Sequence, residues 1–108
     1  REESIKLSDL FINMVEQTCS DLHLESPIKS SERGSQVSFS HPSGYAIMQA
    51  LIDRNIVGDF RAPNIIRFGI TPLYINQEDI IRTVEVIKDI LSKRLWDTPA
   101  YLNRKKVT

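Results

Sequence analysis

Apolar residues recur three and four positions apart in three stretches of this chain, and this spacing predicts three amphipathic helices. The first covers residues 1–22, and Ser8 is placed to cap an inner start. The second runs from a cap at Ser43 to about Arg54. Asn76 caps the third helix, whose acidic first turn suits the positive end of the helix dipole. The positions expected on the buried faces are Leu7, Leu10, Phe11, Met14, Val15, Thr18, Leu22, Ile47, Ala50, Leu51, Ile80, Val84, Ile87, Leu91 and Leu95.

Strict alternation of apolar and polar residues predicts the strands. Residues 36–40 form one strand, while residues 55–61 and 66–70 form a hairpin that turns near Pro63. The positions opposite the apolar face of this sheet are Gln36, Ser38, Ser40, Asp59, Arg61, Arg67 and Gly69. Because that second face is polar, helices are expected to cover the other face only.

The predicted order is α-β-α-β-β-α, which defines a two-layer α+β fold. Its sheet is expected to be three-stranded and mainly antiparallel, with the helices packed on one face. The expected core residues are Phe11, Val37, Phe39, Ile47, Leu51, Phe60, Ile66, Phe68, Val84, Ile87 and Leu91. An extended tail is expected from the end of the third helix through Thr108.

The composition gives no indication of several kinds of partner and site. Fourteen basic and fourteen acidic residues cancel, so the charge gives no indication of a nucleic-acid or membrane partner. The 108 residues suit one domain, and no apolar run approaches the roughly 20 residues that span a bilayer. Cys19 is the sole cysteine, and no Cys/His spacing predicts a metal site. A cytoplasmic location is therefore the default expectation.

The stretch from Gly58 to Tyr74 carries the candidate chemistry. Arg67 projects from the polar face, and Gly69 beside it leaves room for a small anionic group. Alternatively, Arg67 pairs with a carboxylate, for which Asp59 is the candidate because the hairpin sets the two residues opposite each other. His41 has no nucleophile or carboxylate beside it in the sequence and is not expected to be catalytic.

Several blocks of the sequence, in order, resemble the C-terminal domain of kynureninase, and the resemblance extends from Ser4 to about Trp96. The blocks are Leu7-Ser8-Asp9-Leu10-Phe11-Ile12, Arg33-Gly34-Ser35-Gln36-Val37-Ser38-Phe39, His41-Pro42-Ser43-Gly44-Tyr45, Asp59-Phe60-Arg61-Ala62-Pro63 and Arg67-Phe68-Gly69-Ile70-Thr71-Pro72-Leu73-Tyr74. Kynureninase is a pyridoxal-phosphate hydrolase of the fold-type I superfamily. The resemblance implies that residues 1–108 are its single small C-terminal domain, a fragment without the large cofactor-binding domain.

The resemblance also implies an activity. Kynureninase hydrolyses L-kynurenine or 3-hydroxykynurenine to anthranilate or 3-hydroxyanthranilate and L-alanine, a step of tryptophan catabolism. Pyridoxal 5'-phosphate is held by the large domain, so no catalytic, cofactor-binding or metal-binding residue carries over, and the fragment is expected to be inactive alone. Arg67 occupies the position of the family's arginine that binds the substrate α-carboxylate, with Asp59, Arg61 and Gly69 as supporting candidates. The implied partners are L-kynurenine, the enzyme's own large domain and a second copy in a homodimer.

Two other interpretations stay open. Another fold-type I enzyme, such as a cysteine desulfurase or a class V aminotransferase, also uses an arginine for the substrate carboxylate, although the Asp59-Phe60-Arg61 and Thr71-Pro72-Leu73-Tyr74 blocks favour kynureninase. A free-standing regulatory module would use Arg67 to bind an amino acid without catalysis. The abrupt helix start at Arg1 speaks against such independence.

Overall fold

The computed structural model describes residues 2–26, 36–70 and 75–102, apart from the side chain of Ser4. The elements in these residues are α1 (Glu2–Thr18), β1 (His23–Leu24), β2 (Gln36–Ser40), α2 (Gly44–Asp53), β3 (Asp59–Arg61), β4 (Ile65–Gly69), α3 (Gln77–Ser92) and α4 (Pro99–Leu102). The strands form one antiparallel sheet in the order β1-β2-β4-β3. The predicted α+β class, with helices packed against the sheet, is therefore confirmed. The described sheet has four strands rather than the predicted three.

One hydrophobic core joins the sheet to the helices. Phe11 of α1 lies in its middle, with its ring edge-to-face on Phe39 at 5.8 Å and on Phe68 at 5.1 Å between centroids. Burying one large apolar side chain stabilises the fold by about 1.5–3 kcal/mol, so this contact attaches α1 firmly to the sheet. The predicted core residues are all buried except Phe60 and Leu91, which are partly buried against the core.

Helix α1 is uninterrupted and ends earlier than predicted, at Thr18. Ser8 does not cap an inner start: it is buried within the helix, and its hydroxyl donates to the Ile5 carbonyl at 3.1 Å. Thr18 was expected to face the core but is exposed, and its hydroxyl donates to the Met14 carbonyl at 2.6 Å. Leu22 is buried as predicted, although it lies beyond the helix.

Strand β1 is the strand that the sequence pattern did not predict. It has only two residues, too few for an alternation that reveals a strand, and it pairs with the end of β2. The backbone N–H groups of Glu25 and Ser26 then donate to the Ser38 carbonyl at 2.9 and 3.3 Å. Contact with β2 therefore continues irregularly after β1 ends.

Residues 55–58 do not extend the hairpin as predicted, because β3 begins only at Asp59. Asn55 has a φ of 66°, in the left-handed region, and ends α2. The N–H groups of Asn55 and Ile56 donate to carbonyls in the last turn of α2, each at 3.0 Å, which is a Schellman motif. Ile56 is buried as expected, whereas Val57 is 88% exposed.

Helix α3 begins at its predicted cap. The Asn76 side chain accepts from the Asp79 N–H at 2.9 Å, and the Asp79 carboxylate accepts from the Asn76 N–H at 3.0 Å. This reciprocal capping box satisfies two N–H groups that a helix start otherwise leaves without partners.

The prediction of an extended tail after α3 was wrong for residues up to 102. Arg94 ends the helix with a φ of 51°, and the next residue, Leu95, turns outward instead of joining the buried stripe. Trp96 is buried in its place. Pro99 begins α4, where the first helical position suits a proline. Residues 103–108 lie outside the described part of the chain.

Candidate functional site

The face of the sheet opposite the core is polar, as the alternation predicted. Ile66 and Phe68 are buried, and Arg67 between them turns to the other side. On this polar face, exposed residues are Gln36, Asp59, Arg61 and Gly69, and partly exposed ones are Ser38, Ser40 and Arg67. The candidate arginine is therefore outside the helix-packed interior.

Arg67 and Asp59 lie directly opposite each other in β4 and β3, as the hairpin register predicted. Nε and Nη2 of Arg67 donate to Oδ1 and Oδ2 of Asp59, each at 2.7 Å. Two parallel charged bonds fix both the distance and the plane of the guanidinium. Of the two roles that the sequence allowed for Arg67, the ion pair is thus present in the structure.

The pair remains charged at neutral pH. The hydrogen bond to Asp59 raises the pKa of the Arg67 guanidinium, and the same bond lowers the pKa of the Asp59 carboxyl, helped by the charge of Arg61. The two side chains are 22% and 54% exposed, so solvent screens their attraction. Such a pair adds little to folding stability, which leaves orientation of the guanidinium as its main effect.

One guanidinium nitrogen is left available. Nη1 of Arg67 donates to no residue in the part of the chain that the structure describes, whereas Nε and Nη2 are both used by Asp59. Two positions further along β4, a Cβ added to Gly69 would meet no atom of the described residues within 4 Å. Room for a small anionic group beside Arg67 stays a prediction.

The remaining supporting candidates contribute less. Arg61 is exposed and forms no ion pair with another described residue, although its charge acts on Asp59. The loop Thr71-Pro72-Leu73-Tyr74, which follows the candidate arginine in the sequence, lies outside the described residues.

His41 has a structural contact that the sequence analysis missed. Its Nδ1 accepts the N–H of Ser43 at 2.9 Å, whereas Ser43, the predicted cap of α2, occupies the cap position without a side-chain capping bond. The imidazole also packs edge-on against Trp96 at 5.8 Å between ring centroids. The signal in the sequence was a hydrogen-bond acceptor two residues ahead of the helix cap.

The lysines among the described residues lie on the surface. Lys6, Lys88 and Lys93 are exposed, and Nζ of Lys93 pairs with Asp89 at 2.8 Å. Within residues 2–26, 36–70 and 75–102, no group of three or more His, Cys, Asp or Glu is arranged for a metal ion. No helix in that part of the chain has the length and apolarity to cross a membrane.

Together these features define a small two-layer α+β domain that presents a paired arginine on an open sheet face. Residues 1–87 match the family model of the kynureninase C-terminal domain, and the chain therefore belongs to this family. The chain is 46% identical over 110 residues to kynureninases from Pseudomonas fluorescens, Burkholderia mallei (strain SAVP1) and Burkholderia pseudomallei (strain 1106a). Each match covers 100% of this chain and 26% of the relative. The chain thus spans about a quarter of the length of the curated relatives that it matches.

Proposed function

We propose that this chain is the C-terminal domain of a kynureninase. The whole enzyme would hydrolyse L-kynurenine or 3-hydroxykynurenine to anthranilate or 3-hydroxyanthranilate and L-alanine, in tryptophan catabolism. The family match and the 46% identity to three kynureninases support this proposal. From the same family membership, we assign pyridoxal phosphate and the catalytic residues to the remainder of the protein. The chain alone is then inactive. The cofactor, where bound, supplies an electron sink for the bond cleavage.

In this enzyme, Arg67 binds the α-carboxylate of the substrate. The observation that carries the assignment is a guanidinium held by Asp59 on the open face, with Nη1 bonded to no described residue. A planar guanidinium offers two parallel N–H donors to a carboxylate and so fixes its orientation. Asp59 holds the cation, Gly69 leaves space for the substrate, and Arg61 adds positive charge.

The proposed partners follow from the same family membership. They are L-kynurenine, the remainder of the enzyme and a second copy in a cytoplasmic homodimer. The balanced charge of fourteen basic and fourteen acidic residues gives no indication of a nucleic-acid or anionic-membrane partner.

The other interpretations have less support. The reported relatives are kynureninases, which favours this activity over that of a cysteine desulfurase or a class V aminotransferase. A regulatory module would bind the amino acid and leave it intact. Turnover of L-kynurenine by the full-length protein distinguishes a kynureninase from a regulatory module.

Arg67→Lys in the full-length protein tests the carboxylate assignment. Lysine keeps the charge but loses the pair of parallel donors, so kcat/KM should fall by about ten- to a hundredfold, mainly through a higher KM. Steady-state kinetics with L-kynurenine measure this change, and thermal unfolding shows whether the variant folds. The matched control is Arg94→Lys, because Arg94 forms another exposed pair, with Asp97 at 2.9 Å, outside the sheet. Wild-type kinetics in Arg67→Lys would remove the assignment.

A further inference from the structure

We propose that Asp59 is a positioning residue, which holds Arg67 so that the Nη1–Nη2 edge of its guanidinium receives the substrate carboxylate. This inference rests on the proposed function of Arg67. It adds which edge of the cation meets the substrate and which residue determines that edge.

The hydrogen bonds of Arg67 separate the two edges. A guanidinium offers parallel N–H donors along its Nε–Nη2 edge and along its Nη1–Nη2 edge. Asp59 occupies the first edge with two bonds of 2.7 Å. Nη1 bonds no residue in the described ranges. An incoming carboxylate therefore has the second edge available, where it binds Nη1 and the other hydrogen of Nη2.

The sheet keeps this arrangement rigid. Asp59 and Arg67 are paired residues on adjacent strands, so their side chains leave the backbone close together. Ile66 and Phe68, on either side of Arg67, are buried in the core and anchor that part of β4. Two bonds to Asp59 also prevent the guanidinium plane from turning, which a single bond would permit.

Charge and orientation predict opposite effects of removing Asp59. The carboxylate cancels the charge of Arg67, so its removal would strengthen substrate binding if charge dominated. In this domain the side chain of Arg67 is partly exposed and that of Asp59 is exposed, so solvent screens the charge effect. A displacement of about 1 Å in the position of a substrate can cost about a hundredfold in rate. Orientation should therefore dominate, and removal of Asp59 should impair the enzyme.

The test uses Asp59→Asn and Asp59→Glu in the full-length protein. Asparagine has one acceptor oxygen and cannot satisfy both donors of Arg67, so kcat/KM for L-kynurenine should fall by about tenfold, mainly through KM. Glutamate keeps the charge and both acceptor oxygens, but its side chain is longer by one methylene and displaces the guanidinium, so Asp59→Glu should also lower kcat/KM. The matched control is Asp97→Asn, which removes the carboxylate of the Arg94–Asp97 pair and should keep wild-type kinetics.

A double-mutant cycle separates positioning from a general structural role. In an Arg67→Lys background no two-donor edge remains to be oriented, so Asp59→Asn should change kcat/KM by less than about twofold. An equal loss in both backgrounds would show that Asp59 acts through stability and would overturn the proposal.

Two further outcomes separate a failure of the positioning role of Asp59 from a failure of the carboxylate role of Arg67. Wild-type or tighter binding in Asp59→Asn, together with an impaired Arg67→Lys, would refute positioning and leave the carboxylate role of Arg67 intact. Wild-type kinetics in Arg67→Lys would refute the proposed carboxylate role of Arg67, and the role of Asp59 with it.

Discussion

Arg67 takes its place on the open face from its two neighbours. Ile66 and Phe68 are buried, and this fixes the rotation of β4, so the residue between them must point away from the core. The alternation is a local property and predicted the exposure of Arg67, and the hairpin register made Asp59 the candidate partner in one of the two roles considered for Arg67. The use of Nε and Nη2, with Nη1 left over, depends on side-chain torsions and was outside the reach of the sequence.

Gly58, which directly precedes β3, lies so close to β4 that a side chain does not fit there. A Cβ there would lie 2.6 Å from the Arg67 carbonyl oxygen and 3.0 Å from Cε of Met48. The first of these atoms belongs to the backbone of a central strand and has little freedom to move. We therefore expect Gly58→Ala to lower the free energy of unfolding by about 1–3 kcal/mol.

Urea unfolding of the chain measures this change through the fluorescence of Trp96, its single tryptophan. The control is Gly69→Ala, since a Cβ there meets no described residue within 4 Å and the φ of Gly69 is not in the left-handed region. Its free energy of unfolding should stay within about 0.5 kcal/mol of wild type. Equal stabilities of the two variants would show that the close approach at Gly58 is unimportant.

At the scale of elements, a helix or strand was predicted from the sequence when its hydrophobic pattern was long enough. The three long helices and β2 and β4 were predicted because each repeats its period several times. The two-residue β1 and the four-residue α4 were missed, since β1 forms by pairing with β2 and α4 packs against α2, where the Tyr101 hydroxyl donates to the Asp53 carboxylate. Residues 55–56 were predicted as strand because no local pattern reveals a Schellman closure that ends at an asparagine.

The start of α2 should depend on pH through His41. Nδ1 of His41 accepts the Ser43 N–H only when that nitrogen is unprotonated. Burial lowers the pKa of His41, with Arg94 acting in the same direction and Asp21 against it. The unfolded chain therefore takes up a proton at higher pH than the folded one. The contribution of His41 is complete above about pH 6.5 and is lost as the pH falls towards the folded-state pKa.

His41→Asn checks this dependence, because the asparagine carbonyl accepts the same N–H at every pH. Between about pH 7.5 and pH 5.5, the melting temperature should fall less in the variant than in wild type. Thermal unfolding at several pH values measures the difference. Parallel curves for the two proteins would contradict a titrating contact at the start of α2.

At the scale of the whole molecule, the two faces of the sheet have different roles. The core face holds the helices through Phe11 and its aromatic neighbours, and it accounts for the fold. The polar face carries the paired arginine and is, under the proposed function, the surface that faces the substrate. The chain spans about a quarter of the length of its curated relatives. Under the proposed function, the groups that complete such a site would belong to the part of the enzyme that this chain does not cover. Neither the sequence nor the fold of this chain predicts their positions.

The most direct test is a crystal structure of the full-length protein with an unreactive L-kynurenine analogue bound. The decisive quantities are the distances from Nη1 and Nη2 of Arg67 to the two carboxylate oxygens of the ligand. We predict both at about 2.7–2.9 Å, with Asp59 still bonded to Nε and Nη2. A ligand carboxylate bound by other residues, out of reach of Arg67, would contradict the account.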